Sequence, residues 1–259
     1  MAFTAQAFKA RTKTRRIMYQ HPKRTAGAFV GVSETEKMGA LGKIYLCTYN
    51  VVQAFGWSVI LYTLLSHYVT SSELTLWDKV WFPLFLFQTA AVVEVVHIMV
   101  GLVRSNVFIT FVQVLSRVAV CGILLTIPSS LIVSSIAFPL TILAWSITEI
   151  IRYSYYFTNL VGYTPYFLTW LRYTTFIVLY PLGITGELLC YYMVFTYSQA
   201  NPEVLTYALP NQWNFTFNYS YSLIMAMLVY IPGFPNLYSY MLSQRKKILG
   251  SDAKAKKKH

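Results

Sequence analysis

The sequence has few of the residues on which metalloenzymes and disulfide-bonded secreted proteins depend. Its 259 residues include three cysteines, Cys47, Cys121 and Cys190, whose positions match neither a zinc-ligand spacing nor a disulfide framework. Of its four histidines, His21 and His259 lie in the tails, which leaves too few for the ligand clusters of membrane di-iron enzymes. No apolar stretch of signal-peptide length precedes residue 44, so we expect no cleaved leader. These absences argue against a metal centre and against a secreted disulfide scaffold.

Charge is also scarce, whereas apolar residues are abundant. Only 12% of the residues are charged, 56% are hydrophobic, and the mean hydropathy is +0.49. A soluble domain cannot bury that much apolar surface. Runs long enough to cross a hydrocarbon core of about 30 Å lie at 44–66, 80–103, 106–127, 131–151, 168–196 and 220–242. We therefore predict an all-α membrane protein, built as a bundle of six transmembrane helices.

The basic residues are concentrated in the two tails. Of 21 Lys and Arg, nine precede residue 44 and seven follow residue 244. No nucleic-acid-binding motif accompanies them, so we interpret them as cytosolic flanks of a membrane protein and expect no nucleic acid partner. Arg104, Arg152 and Arg172 fall on the side of the tails, and Lys79 is the only Lys or Arg expected on the other side. The predicted organisation is a basic cytosolic tail at 1–43, a transmembrane domain at 44–242 and a second tail at 243–259.

Two further signals concern the cellular compartment. Lys256 and Lys257 stand four and three positions from the carboxyl end, as in a dilysine retrieval signal of the endoplasmic reticulum; a solvated basic tail is the alternative. The segment from 197 to 219 is then lumenal, and it contains glycosylation sequons at Asn214 and Asn218. We expect a multi-pass protein of the endoplasmic reticulum membrane with both termini cytosolic, and we leave open whether either asparagine is glycosylated.

Five ionisable residues lie inside the predicted membrane helices, where a charge costs about 2.5–3.5 kcal/mol at the centre: Glu94, His97, Arg117, Glu149 and Glu187. The first four are expected to form buried polar support for a site. Glu94 and Arg117 fall at similar depths on neighbouring helices, which suggests an ion pair; alternatively Arg117 awaits substrate. Glu149 lies three residues from Arg152 and is expected to reach the interface as part of a helix-end pair. His97 is expected to be a hydrogen-bonded core residue.

The predicted fifth helix carries the strongest signal. Tyr180 and Glu187 are seven residues apart, nearly two turns, so both project from one face of the helix. Pro181 removes a backbone hydrogen bond, and Gly183 and Gly186 allow close backbone approach. We predict a kinked helix, interrupted by proline and glycine. A kinked helix packed through small residues explains the glycines but leaves Glu187 without a reason to be there.

Several separated motifs point to one enzyme family. They are the Tyr-Pro-x-Gly-x-x-Gly-Glu stretch at 180–187, Tyr-Asn-Val-Val at 49–52 before Gly-Trp at 56–57, Ile-Thr-Glu-Ile-Ile-Arg-Tyr at 147–153, Trp-Asn-Phe-Thr-Phe at 213–217 and Tyr-Ile-Pro-Gly-Phe-Pro at 230–235. Together, and in this order, they resemble the very-long-chain (3R)-3-hydroxyacyl-CoA dehydratases over most of residues 41–249. That family is also called protein-tyrosine-phosphatase-like. Here Ile98 stands where a phosphatase nucleophile would be, although Arg104 fills the arginine position, so phosphatase activity is rejected.

The resemblance implies dehydration of a 3-hydroxyacyl-CoA to the trans-2-enoyl-CoA, the third step of very-long-chain fatty acid elongation, with Tyr180 and Glu187 as the catalytic pair. Such an elimination needs one acid–base group and one hydrogen-bond donor, and no metal or cofactor. We assign the main proton transfer to Glu187; the reverse assignment, to Tyr180, stays open. The nucleotide end of CoA should remain at the cytosolic mouth, where Arg104, Arg152, Arg172 and also Lys43 are candidate ligands. Simple anchoring of the topology is the alternative explanation for any single one of the arginines.

Other functions remain to be weighed against catalysis. A non-catalytic scaffold for elongation enzymes is the main alternative, and a small-solute transporter is a weaker one, because no second broken helix matches the predicted fifth. The partners implied by the resemblance are the acyl-CoA substrate, membrane lipid, fatty acid elongases, 3-ketoacyl-CoA reductase and trans-2-enoyl-CoA reductase. Acyl-chain length preference and oligomeric state do not follow from the sequence.

Overall fold

The computed structural model describes residues 39–70, 73–203, 206–207, 212 and 216–256, with side chains as far as residue 250. Within these ranges the protein is all-helical, apart from an isolated bridge between Tyr207 and Phe217. The helices are α1 (Ala40–Val69), α2 (Leu76–Ala90), α3 (Val93–Met99), α4 (Val107–Leu124), α5 (Ser129–Ser134), α6 (Ala137–Val161), α7 (Tyr166–Thr174), α8 (Phe176–Ala200) and α9 (Tyr219–Lys256). The tail at 1–38, Asn214 and Lys257 lie outside the described residues.

Five of the described helical segments are long and apolar enough to cross a membrane. They are Ala40–Val69, Leu76–Met99, Val107–Leu124, Phe176–Ala200 and Tyr219–Gly250. Large apolar side chains on their outer faces are exposed, for example Phe55 at 68%, Tyr62 at 73% and Phe108 at 74%. Such faces are suited to lipid contact. The all-α class is thus confirmed, and several of the helices are long and apolar enough to cross a membrane.

Helix α6 differs from its predicted span at both ends. The apolar run was expected to end at residue 151, yet a short helix precedes α6 and α6 itself continues to Val161. Ten residues were missed because Arg152 resembles an interface residue in the sequence. In the structure its charge is matched inside the protein by two carboxylates. At 25 residues, α6 is about 37 Å long.

The predicted fifth helix is two helices in the structure. The break falls at Thr175, between α7 and α8. Helix α8 runs without interruption through Pro181, Gly183 and Gly186, so proline and glycine do not end it. The residues at the break close a turn through a hydrogen bond from the Thr175 amide to the Leu171 carbonyl.

Helix α6 is the centre of the bundle, because α1 packs along one side of it and α8 along another. The buried residues of α1 recur at every third or fourth position, from Asn50 and Gln53 through Trp57 and Ile60 to Leu64, which is the period of one helix face. Helix α8 is then covered by α9. Residues on the inner face of α8 therefore lie between α6 and α9.

Candidate active site

Glu187 lies buried at the place where α8 meets both α6 and α9. Its residue exposure is 7%. Oε1 accepts a hydrogen bond of 2.8 Å from the indole Nε1 of Trp145 on α6, and Oε2 accepts one of 2.7 Å from the hydroxyl of Tyr230 on α9. Each carboxylate oxygen thus has a donor, and the two donors come from different helices.

Small residues bring Glu187 to this position. A Cβ on Gly186 would lie 2.5 Å from Oγ1 and 2.9 Å from the backbone nitrogen of Thr141, so the crossing of α8 and α6 requires glycine. One turn earlier, a Cβ on Gly183 would meet the Ala144 side chain at an ordinary 3.5 Å. Trp145 follows Thr141 by one turn of α6 and therefore faces the carboxylate.

Tyr180 lies on the same face of α8, about 10 Å along the axis from Glu187. Its half-buried ring stacks on Phe234 at a centroid distance of 5.4 Å and on Tyr238 at 6.2 Å. Tyr230, Phe234 and Tyr238 recur every four residues on α9, so they form a stripe that runs antiparallel to α8. In this arrangement the hydrogen-bonded tyrosine of Glu187 is Tyr230 and not Tyr180.

Arg117 pairs with Glu149, and not with Glu94 as one sequence interpretation had it. Its guanidinium also lies 5.5 Å from the centroid of the Trp145 ring. A cation at this distance from an aromatic face is attracted to it. Arg117 therefore connects the ion pairs to the residue that binds Glu187.

Glu94 pairs instead with Arg152. The Arg152 NH1 and NH2 groups contact Glu94 at 3.0 and 2.9 Å, and its Nε donates to Glu149 at 2.7 Å. Tyr153 also donates to Glu94. The expected helix-end pair of Glu149 and Arg152 is thus present, but the expectation that Glu149 reaches the interface was wrong, because Glu149 is 1% exposed. The negative charges of Glu94 and Glu149 are thus balanced inside the bundle by the positive charges of Arg117 and Arg152.

His97 is buried, as predicted, and hydrogen-bonded to the hydroxyl of Tyr45 at 2.9 Å. The rings of Tyr45 and Tyr49 meet it edge-on. Tyr49 in turn donates to Glu94 at 3.3 Å, which extends the polar cluster from α6 through α3 to α1. These residues are near one another and are separate from the contacts of Glu187.

The three arginines expected at the CoA end differ in their surroundings. The Arg152 guanidinium is committed to Glu94 and Glu149. Arg172 donates to the hydroxyl of Tyr156 at 2.9 Å and lies over the rings of Tyr155 and Tyr156, at 5.5 and 4.8 Å. Its Nε is buried and has no hydrogen-bond partner within the described residues.

Arg104 is exposed in the turn between α3 and α4. Lys43 lies in the first turn of α1.

The sequence did not reveal Trp145 and Tyr230 as partners of Glu187. A signal existed for Trp145, because tryptophan in membrane proteins is enriched at the interfaces, whereas this residue lies near the middle of an apolar run and its N–H needs a partner. For Tyr230 the sequence showed only that the residue belongs to the motif at 230–235. Its pairing depends on the register of α9 against α8, which no local pattern specifies.

A buried carboxylate with two neutral donors and a tyrosine on the same helix face can carry acid–base chemistry on a substrate that enters between helices. Together with the fold, this arrangement is that of an all-helical protein whose apolar helices fit a multi-pass membrane protein, with a buried candidate acid–base site. The family described as "Protein tyrosine phosphatase-like protein, PTPLA" matches residues 88–251. The chain belongs to this family, which confirms the family predicted from the motifs.

Relatives match over most of their own length. The chain is 46% identical over 214 residues to "Very-long-chain (3R)-3-hydroxyacyl-CoA dehydratase hpo-8" of Caenorhabditis elegans, covering 82% of this chain and 97% of the relative. It is 42% identical to "Very-long-chain (3R)-3-hydroxyacyl-CoA dehydratase PASTICCINO 2B" of Oryza sativa subsp. japonica, covering 84% and 96%. It is 40% identical to "Very-long-chain (3R)-3-hydroxyacyl-CoA dehydratase 2" of Mus musculus, covering 85% and 86%. No solved structure gives a significant match.

Proposed function

We propose that this protein dehydrates long-chain (3R)-3-hydroxyacyl-CoA to trans-2-enoyl-CoA, the third step of the very-long-chain fatty acid elongation cycle. The observation that carries the proposal is the buried Glu187 carboxylate, hydrogen-bonded from two helices and sharing a helix face with Tyr180. The names of the relatives agree with this reaction. No metal or cofactor is assigned to the step.

The elimination transfers one proton from the α-carbon and releases the β-hydroxyl as water. Glu187 takes the α-proton, and Tyr180 donates a hydrogen bond to the departing hydroxyl or to the developing enolate. The electron pair of the broken C–H bond becomes the new double bond, and the β-hydroxyl leaves as water with the proton that Glu187 took from the α-carbon, which returns Glu187 to its carboxylate form. In the reverse assignment, Tyr180 transfers the proton and Glu187 orients it.

The substrate divides between two environments. The acyl chain occupies the apolar space beside α8 and α9, and the phosphates of CoA stay at the cytosolic mouth. Arg172 is the preferred phosphate ligand, because its guanidinium lies over two tyrosine rings and forms no ion pair within the described residues. Arg104 is a second candidate. Arg152 is a weaker one, since all three of its guanidinium nitrogens donate to carboxylates.

We also infer that α6 crosses the membrane, as a sixth span beside the five apolar segments. Its length is sufficient, and its charges are balanced within the bundle. Six spans leave both tails, 1–43 and 243–259, on the cytosolic side of the endoplasmic reticulum membrane. The expected partners there are elongases, 3-ketoacyl-CoA reductase and trans-2-enoyl-CoA reductase.

The test is conversion of a long-chain 3-hydroxyacyl-CoA to the enoyl-CoA by detergent-purified, lipid-reconstituted protein. Wild type is expected to form product, and Glu187→Gln and Tyr180→Phe are expected to form much less while remaining folded. An inactive wild type in this assay would favour the scaffold function instead.

A further inference from the structure

The two donors on Glu187 differ in what they permit. An indole N–H can only donate, whereas a tyrosine hydroxyl can donate or accept. Oε1, bonded to Trp145, therefore remains an acceptor through the reaction. Oε2, bonded to Tyr230, faces a group that can reverse its role when the carboxylate gains a proton.

Both donors are themselves fixed by their surroundings. Trp145 is 2% exposed and lies under the Arg117 guanidinium, which the Glu149 carboxylate holds in place. The Tyr230 ring meets the ring of Tyr191 on α8 edge-on, with centroids 6.0 Å apart. Neither side chain can turn away from Glu187 without losing these contacts.

Neutral donors also leave the carboxylate available for proton transfer. Glu187 forms no ion pair within the part of the chain that the structure describes, whereas Glu94 and Glu149 both do. A carboxylate paired with a guanidinium is held in its charged form. A carboxylate held by an indole and a phenol keeps a defined orientation and is still able to exchange a proton.

We propose that Trp145 and Tyr230 are positioning residues that hold Glu187 for the dehydration, and that Oε2 is the oxygen that receives the substrate proton. The proposal rests on the proposed function and adds two residues to it. Trp145 fixes Oε1 from α6, and Tyr230 exchanges its hydrogen bond on Oε2 from α9 as the proton arrives. The α9 tyrosine thereby has a task distinct from that of Tyr180.

The experiment is a single-turnover measurement with enzyme in excess over a long-chain 3-hydroxyacyl-CoA. With enzyme at saturating concentration the rate constant reports chemistry in correctly folded protein, and the amplitude of the thermal denaturation transition of the same sample reports the fraction that is folded. Tyr230→Phe and Trp145→Phe are each expected to lower the rate constant about 10- to 100-fold, the effect of losing one hydrogen bond to a charged group. The amplitude is expected to stay near that of wild type.

Two matched variants separate positioning from structure. Tyr219→Phe removes a hydroxyl from the same helix that bonds to Thr126 at 3.0 Å instead of Glu187. Trp57→Phe shrinks an equally buried indole whose Nε1 has no partner in the described chain. Both are expected to keep the wild-type rate constant, even where the amplitude falls.

The outcomes distinguish the positioning roles of Trp145 and Tyr230 from the dehydratase activity itself. Unchanged rate constants in Tyr230→Phe and Trp145→Phe, with Glu187→Gln inactive, would overturn the positioning roles and leave the dehydratase intact. A fall in amplitude alone would also overturn them, because it is the result of a structural role. No product from wild type would remove the proposed function itself.

Discussion

Gly186 and Thr141 bring α8 and α6 into close backbone contact: a Cβ on Gly186 would lie 2.5 Å from Thr141 Oγ1 and 2.9 Å from its backbone nitrogen. A backbone atom cannot move aside as a flexible side chain can. This contact sets the separation of the two helices one residue before Glu187 and one turn before Trp145. The spacing of two backbones thus determines the 2.8 Å hydrogen bond at the site.

Gly186→Ala is expected to push α8 away from α6. Overpacking of this kind costs about 1–3 kcal/mol, and the loss of the Trp145 contact should lower activity as well. The measurements are the midpoint of thermal denaturation in detergent and the dehydration rate. Gly122→Ala is the matched control, because a Cβ there has nothing within 4 Å. Equal denaturation midpoints and equal dehydration rates in Gly186→Ala and Gly122→Ala would contradict the conclusion that the contact of Gly186 with Thr141 positions the site.

Arg152→Met is expected to destabilise the bundle strongly. It would leave Glu94 without its cation and Glu149 with Arg117 alone, and removing one partner of a buried ion pair costs about 3–5 kcal/mol. The free energy of unfolding, or the denaturation midpoint, measures the effect. Arg104→Met, on an exposed turn, should change stability by only about 0.5 kcal/mol. An equally small loss of stability in Arg152→Met and Arg104→Met would contradict this prediction, because it would mean that the charges of Glu94 and Glu149 are solvated.

The sequence was sufficient to predict the apolar helices and the family, since the helices depend on local apolar runs and the family on short motifs. It failed where tertiary contacts decide the outcome. Arg152 looked like the end of a membrane span, but Glu94, which is distant in the sequence, and Glu149, one turn earlier on the same helix, allow it to lie inside a longer helix. Likewise, similar depth suggested a Glu94–Arg117 pair, whereas in the fold the Arg117 side chain on α4 reaches Glu149 on α6.

Arg172→Gln is expected to raise KM for a 3-hydroxyacyl-CoA several-fold with kcat little changed, because it removes a ligand for the distant phosphates and touches no reacting atom. The decisive comparison uses the corresponding 3-hydroxyacyl-pantetheine, which lacks the nucleotide. For that substrate wild type and Arg172→Gln should have the same KM. An equal increase for both substrates would assign Arg172 to structure instead.

The sixth span can be tested by topology. With α6 across the membrane, tags placed at the two ends of the chain lie on the same face, and both should be accessible after selective permeabilisation of the plasma membrane. If α6 does not cross, five spans put the ends on opposite faces, and only one tag would react. The control is full permeabilisation of all membranes. Both tags must then be accessible, whether or not α6 crosses the membrane.

The most direct test of the account is the rate of enoyl-CoA formation by purified wild type, Glu187→Gln and Glu203→Gln. Glu203 is exposed in the loop between α8 and α9, so its variant makes the same chemical change away from the site. Loss of one general acid–base group lowers a rate by about 10²–10⁴-fold. The account predicts a loss of that size in Glu187→Gln alone, with both variants folded. Activity in Glu187→Gln close to that of Glu203→Gln would contradict it.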